Sequence, residues 1–318
     1  MKALCISHVK DVDGLGAAAI VRAATGAEVV LADYDDLLEK LEAVPKGVGE
    51  LVLCDLGADN ANLEEFLGLI GSIAKRAKVR YIDHHYMTAK TKARLKAAGV
   101  RVVHDAGESS SMLAYLEFRS KLPHGARLIA LCGAVTDYLD TSPEASAMME
   151  QEDRQMVLLE ASMLSYALGR KSKEKGFALG VVRDLSEMKA PHSIDGVPEA
   201  AVLQLDELAR ISERVRKEGR RIGRLAYLIT TQYSTGNVAK LLIGAFGVPV
   251  GVAMKEKQEG WYEVSLRSTS VSRVHLGRTI ARIAASLGGS GGGHRKAAGC
   301  RVPVSGAKEL LKALSKKV

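Results

Sequence analysis

Aspartates and histidines follow apolar runs at three places in this chain: Ser7-His8-Val9-Lys10-Asp11-Val12-Asp13-Gly14, Cys54-Asp55-Leu56-Gly57 and Ile82-Asp83-His84-His85. A further carboxylate, Asp137, follows the apolar stretch 128–135. Two divalent cations about 3.5–4 Å apart can clamp the attacking and leaving oxygens of an in-line phosphoryl displacement. Hard cations of this kind accept carboxylate and imidazole ligands. His8, Asp11, Asp13, Asp55, His84 and Asp137 can hold such a pair if the fold converges them on one point. Singly, each has an ordinary explanation, since an Asp after a strand is a common helix cap. Three strand ends of one sheet carrying such residues together argue for a shared purpose.

The elements that would bring them together are legible as alternation. Short β-rich runs at 3–7, 28–31, 51–54, 79–82 and 101–103 alternate with helix-like segments near 14–24, 35–43, 61–77, 88–98, 109–121 and 125–136. This pattern predicts an α/β fold with a doubly wound parallel sheet, whose ligands bind beyond the carboxyl ends of the strands. Residues 144–222 read as largely helical, with Val202, Leu205, Leu208, Ile211 and Val215 forming a helical stripe. Turn chemistry at 190–196 suggests a flexible joint. The strand and helix pattern restarts after Gly223, with strands near 225–230, 249–254 and 261–266 and helices near 238–246 and 275–287, and then meets a glycine-rich run at 288–293. The expected division is a catalytic domain over 1–189, a connection over 190–222 and a smaller α/β domain over 223–318. Substrate would enter a cleft that closes by motion at the connection.

Charge is split between these parts. From Gly223 to Val318 the chain holds 15 Lys/Arg against 4 Asp/Glu, a net +11, whereas the remainder holds 30 against 33, or −3. An acidic part that can hold cations joined to a basic part that can hold a polyanion suits a phosphate-cleaving enzyme. The four cysteines are scattered and match no zinc spacing. They fit a reducing cytoplasm. No apolar run is long enough for a membrane span, and the N-terminus does not read as a signal peptide.

Asp83-His84-His85 resembles the signature triplet of the DHH phosphoesterase superfamily, preceded by the Asp-x-Asp pair Asp11 and Asp13 and by Asp55, and followed by Gly133-Ala134-Val135-Thr136-Asp137. Near the C-terminus, Gly291-Gly292-Gly293-His294-Arg295-Lys296-Ala297-Ala298-Gly299 resembles the glycine-rich motif of the associated DHHA1 domain, and Ser265-Leu266-Arg267-Ser268 its Ser-x-Arg-Ser strand. The resemblance implies that Asp11 and Asp55 bind one metal and that Asp13, Asp55, His84 and Asp137 bind the other, with Asp55 bridging. The cofactors implied are two divalent ions, Mn²⁺ or Mg²⁺. Asp83 would orient a ligating histidine, and His85 would approach the phosphate or the leaving group. His8 stands three residues before Asp11 where the nanoRNase pattern has four, which leaves its direct ligation open. Ser110, in the Gly107–Ser111 segment, stands where related enzymes have a Ser/Thr-rich turn. Arg267, Gly291, Gly292, Gly293, His294 and Arg295 would cradle the substrate phosphate, the glycines admitting it close to turn N–H groups.

The resemblance is to enzymes of the nanoRNase or short archaeal RecJ-like type. It implies an exonuclease or phosphodiesterase acting on short or single-stranded RNA or DNA and releasing nucleoside monophosphates. Phosphoadenosine phosphate and cyclic dinucleotides are the alternative substrates. A non-catalytic replication or repair scaffold is the alternative of another class, and a repair or replication partner or a homo-oligomer is compatible with either.

Overall fold

The structure, a computed structural model, describes residues 2–58, 62–174, 176–258, 260–269, 271–293 and 295–318, without the side chain of Gln258. It divides into two compact units, Met1–Gln204 and Leu205–Val318.

The first unit alternates β1 (Lys2–His8), α1 (Val12–Thr25), β2 (Glu28–Ala32), α2 (Leu37–Glu42), β3 (Val48–Cys54), α3 (Leu63–Ala74), β4 (Lys78–Asp83), α4 (Ala89–Ala97) and β5 (Arg101–His104). The strands pair in parallel in the order β2-β1-β3-β4-β5. Helices α5 (Ser110–Phe118), α6 (Ala126–Thr136), α7 (Pro143–Met149), α8 (Arg154–Lys171) and α9 (Phe177–Ser186) follow, and α10 (Val197–Glu218) runs from this unit into the next.

The period of two along each strand assigns its residues to opposite cores. Leu4, Ile6, Leu51, Leu53, Val79 and Tyr81 pack with Leu37, Leu41, Phe66, Ile70 and Leu95 from α2, α3 and α4. The intervening Cys5, Val52, Cys54 and Ile82 pack with α1, α5, α6, α8 and α9. Both faces are covered, so the strands read as continuous apolar runs. Because β2 and β3 lie on opposite sides of β1, the winding reverses between β1 and β3, and the crevice beyond their carboxyl ends is the place where such sheets bind ligands.

The second unit contains β6 (Arg220–Ile222), β7 (Leu225–Ile229), α11 (Thr235–Phe246), β8 (Val250–Gln258), β9 (Trp261–Ser268), α12 (Leu276–Ser286), β10 (Ser290–Gly293), β11 (Ala297–Pro303) and α13 (Ala307–Ser315). Its mixed sheet has the order β10-β11-β9-β8-β7-β6, with β7 and β8 parallel and the other pairs antiparallel. No helix among the described residues is long and apolar enough to cross a membrane.

Two expectations change. The turn at 190–196 contains a 3₁₀ turn, Pro191–Ser193, tied to α8: the buried Glu160 carboxylate accepts the His192 N–H at 2.8 Å and contacts His192 Nδ1. An anchored turn of this kind is a poor hinge. The glycine run is a strand rather than a phosphate-binding turn. Gly291, Gly292 and Gly293 pair with Cys300, Gly299 and Ala298 of β11. A Cβ on Gly277 of α12 would lie 1.8 Å from the Gly293 carbonyl oxygen, and one on Gly291 would lie 2.5 Å from Cys300 Cβ. Close helix and strand packing is what Gly291 and Gly293 permit, whereas Gly292 faces open space.

Candidate metal centre

The carboxyl ends of β1, β3 and β4 each deliver ligands through a different local device. After β1, Asp11 caps α1, its Oδ1 accepting the Gly14 N–H at 2.9 Å. Gly14 is required there, because a Cβ would lie 2.5 Å from the His8 carbonyl oxygen. After β3, Asp55 takes the left-handed region at φ 60°, and its N–H donates to Ile82 O at 3.0 Å. A non-glycine residue held at positive φ in a buried crevice marks a place where the surroundings dictate the backbone. After β4, His84 and His85 leave the sheet side by side, their ring centroids 4.6 Å apart.

These ends meet in three overlapping clusters, His8–Asp11–Asp55, Asp13–His84–Asp137 and Asp55–His84–His85, within each of which one potential ligand atom per residue lies within 4.8 Å of the others. His84 Nε2 is 3.1 Å from Asp137 Oδ2, 3.4 Å from Asp55 Oδ1 and 3.9 Å from Asp13 Oδ2. His8 Nδ1 is 2.7 Å from Asp11 Oδ2 and 3.6 Å from Asp55 Oδ2. That nitrogen is buried and makes no well-aligned hydrogen bond among the described residues. A close but misaligned ring nitrogen facing two carboxylates fits a cation between them better than a hydrogen bond. The donor set, oxygens with imidazole nitrogens, suits hard divalent ions.

The electrostatics without a cation are unfavourable. Burial, then the charges of Asp55 and Asp137, push the Asp13 carboxyl up to about 8. Burial likewise raises Asp55. Burial alone would lower the pKa of His8 and His84, but Asp11 and Asp55 hold His8 up at about 10, and Asp137, Asp55 and Asp13 hold His84 up at about 11. Protons gathered by such a cluster are what a divalent cation displaces.

The buried carboxylates are fixed from behind. The α5 N–H groups of Ser110 and Ser111 donate to Asp13 at 2.6 and 2.8 Å, and Ser110 Oγ donates to Asp55 Oδ1 at 2.9 Å. Ser110 is fully buried, with its N–H and hydroxyl both engaged by these carboxylates. Asp83 is buried and contacts His85 Nδ1 at 2.8 Å, so the histidine it orients is His85 and not His84. Tyr81 OH approaches Asp83 Oδ2 at 2.9 Å, and His104 Nε2 contacts the His85 carbonyl oxygen at 2.7 Å.

Asp33 and Tyr34 belong to this centre and escaped the sequence reading. Asp33 Oδ1 lies 3.6 Å from His8 Nε2, and Tyr34 OH accepts the Gly57 N–H at 3.2 Å between the rings of His8 and His85. Their signal was present, since both directly follow β2, another strand end.

Gly133 on α6 is a support of the same kind. A Cβ there would fall 2.0 Å from Ser111 Oγ and 2.4 Å from Asp13 Oδ1. We expect Gly133→Ala to destabilise the chain by roughly 1–3 kcal/mol through overpacking and to lower metal affinity. Denaturant midpoint and metal titration would check this; an unchanged midpoint with unchanged affinity would contradict it.

In the second unit, Arg267 on β9 approaches the start of α11, where a Cβ on Gly236 would be 3.1 Å from its Nη2. Next in the chain, the Ser268 and Thr269 hydroxyls are buried with no hydrogen-bond partner among the described residues. Arg295 is exposed in the turn after β10. His294 lies outside the described residues.

Residues 224–318 match the DHHA1 domain family. No curated protein matches the chain. Among solved structures, a pGpG-specific phosphodiesterase from Vibrio cholerae aligns at TM-score 0.64 and 15% identity over 99% of this chain and 98% of its own. RecJ from Thermus thermophilus in complex with Mn²⁺ aligns at TM-score 0.64 and 20% identity over 99% of this chain and 52% of its own. An exonuclease RecJ bound to manganese aligns at 0.63 and 18% over 99% and 89%. These likenesses span both units and establish the fold.

Proposed function

We propose that this chain, a DHH/DHHA1-superfamily protein by its C-terminal domain and its fold, is a metal-dependent phosphodiesterase that removes nucleotides from short or single-stranded nucleic acid. The observation that carries the reading is the convergence of three Asp/His clusters sharing Asp55 and His84 at the switch point of the sheet. His8, Asp11 and Asp55 would hold one divalent cation, and Asp13, Asp55, His84 and Asp137 a second, Mn²⁺ or Mg²⁺. Such a pair supplies charge stabilisation and a water of lowered pKa when bound.

The chain's own groups supply the rest. Asp83 occupies His85 Nδ1, leaving Nε2 to face the substrate. Burial alone would lower the His85 pKa, but Asp83 outweighs it and raises the value, so the ring holds a proton that it can give to the leaving oxygen. Asp83→Asn removes that bias. It should lower kcat by roughly 10–100-fold, as loss of an orienting partner does, with KM little changed and the alkaline limb of the pH profile shifted to lower pH. A uniform loss at every pH would show that Asp83 is structural only.

Arg267 would hold the terminal phosphate. Arg267→Ala should remove about 1.5–3 kcal/mol of charge-assisted binding, read mainly as a higher KM at unchanged metal content. Unchanged kinetics would remove Arg267 from the substrate site. The full reading is tested with purified chain and Mn²⁺ on end-labelled RNA and DNA from dinucleotides upward, beside phosphoadenosine phosphate and cyclic dinucleotides. Absence of turnover on every oligonucleotide would sink it, and preference for either small substrate would move the assignment there.

A further inference from the structure

One face of the C-terminal sheet is only partly covered. Under α11, Gly251 and Ala253 of β8 are sealed, a Cβ on Gly251 falling 1.9 Å from the Ala239 carbonyl oxygen. Alternate residues of β9 and β11, Val264, Leu266, Cys300 and Val302, point into the core beneath α12 and α13. The residues between them, Trp261, Glu263, Ser265 and Arg267 of β9 with Gly299 and Arg301 of β11, face the other way. In register, Ser265 stands opposite Gly299 and Glu263 opposite Arg301. Trp261, Glu263, Ser265, Gly299 and Arg301, with Lys257 and the edges of Val264 and Cys300, line a depression of about 560 Å³, and Arg267 lies on the same strand face beyond it.

Its chemistry is specific. The Arg301 guanidinium lies 4.9 Å from the Trp261 ring centroid, a flat cation–π pair at the far end of the face from Arg267. Gly299 makes a low floor that admits a planar group, bounded on one side by Ser265, whose Oγ meets Thr235 Oγ1 of α11 at 2.8 Å. The acid on this face, Glu263, is neutralised by Lys257 at 2.6 Å, and the surrounding segment, 223–318, carries +11. Flat aromatic and guanidinium surfaces on a cationic sheet are what unpaired bases stack on.

We propose that this open face of β9 and β11 binds the bases of a single-stranded nucleic acid beyond the nucleotide held at Arg267, with Trp261 and Arg301 as its distal stacking position. The proposal rests on the nucleic-acid substrate argued above and adds a length dependence to it. Six residues of strand separate Arg267 from Trp261, about 20 Å. A strand stacked at about 3.4 Å per nucleotide needs roughly six nucleotides to reach the end, so a dinucleotide at Arg267 cannot touch the platform.

Trp261 is the only tryptophan in the chain, so its fluorescence reports this face directly. The full chain, in chelator so that nothing is hydrolysed, is titrated with oligo(dT) and oligo(U) of two, four, eight and twelve nucleotides, and with polyglutamate. The expected result is quenching by eight- and twelve-nucleotide strands, weak quenching by dinucleotides and a strong salt dependence. The dT and U arms establish whether DNA or RNA is preferred. Arg301→Gln, which keeps the reporter, should weaken dodecamer binding roughly tenfold and dinucleotide binding several-fold less. By anisotropy of labelled strands, Trp261→Leu should do the same and Trp261→Phe should restore most of the affinity. Dodecamers that bind without quenching Trp261, or that bind Arg301→Gln and Trp261→Leu as tightly as wild type, would overturn the proposal. Equal quenching by polyglutamate would overturn it in favour of an acidic protein segment. Hydrolysis is measured separately with Mn²⁺ on dinucleotides, so failure of the catalytic reading is distinguishable from failure of the platform.

Discussion

Asp55→Asn will lower kcat by at least roughly 10²–10³-fold, the scale on which loss of one positioned electrostatic contact acts, while the metal-free protein stays folded. Asp55 takes part in two of the three clusters, its Oδ2 toward His8 and its Oδ1 toward His84, so no other single residue joins both proposed cation positions in the same way. Asn is the informative replacement because it tolerates the left-handed backbone at φ 60° and keeps an acceptor for Ser110 Oγ. Ala would add backbone strain and strand that hydroxyl. Since burial already raises the Asp55 pKa, removing its charge relieves the metal-free centre, and thermal stability in chelator should hold or rise. Single-turnover kinetics beside melting curves decide the matter. Near-normal turnover by Asp55→Asn with bound metal would end the bridging role, and a collapsed melting transition would show that the residue is needed for folding instead.

Adding Mn²⁺ to chelator-treated protein will raise Tm, and by more at alkaline than at acid pH. At a hundredfold excess over Kd a ligand stabilises by about 2.7 kcal/mol. For a folding unit of this size, that corresponds to roughly 5–10 °C. The pH dependence follows from the buried groups. An unfolded Asp loses its proton near 4, whereas Asp13 holds it to about 8, so the folded chain binds the extra proton between those values. The stability associated with Asp13 therefore falls as pH rises across that window. His8 and His84, raised to about 10 and about 11, contribute stability that is full below about 6.5 and is lost toward those values. All three act in one direction, so the metal-free protein weakens from about pH 6 to about pH 8.5 while the cation, no longer competing with protons, binds better. Melting curves with and without Mn²⁺ at both pH values test this. A larger increment at the acid value, or none at either, would contradict a cation centre built from these residues.

The sequence by itself determined the alternation of strands and helices in the first unit, because a parallel sheet covered on both faces requires apolar strands of a few residues separated by helices. It also determined which strand ends carry acids and histidines, since Asp11, Asp13, Asp55, His84 and His85 lie directly beyond apolar runs. The tertiary structure decided what a linear reading cannot reach: partners supplied across large separations. Asp13 and the Ser110 and Ser111 N–H groups meet only because α1 packs against α5. Asp83 serves His85 instead of His84 because of the direction in which each ring leaves β4, which depends on side-chain geometry absent from the motif. The glycine run resembled a phosphate loop because composition reports permitted backbone conformations, whereas at Gly291 and Gly293 the lack of a Cβ serves close packing of β10 on α12 and β11. Small residues look alike in sequence whether they make room for a ligand or for a neighbouring helix, and only the packed fold distinguishes the two.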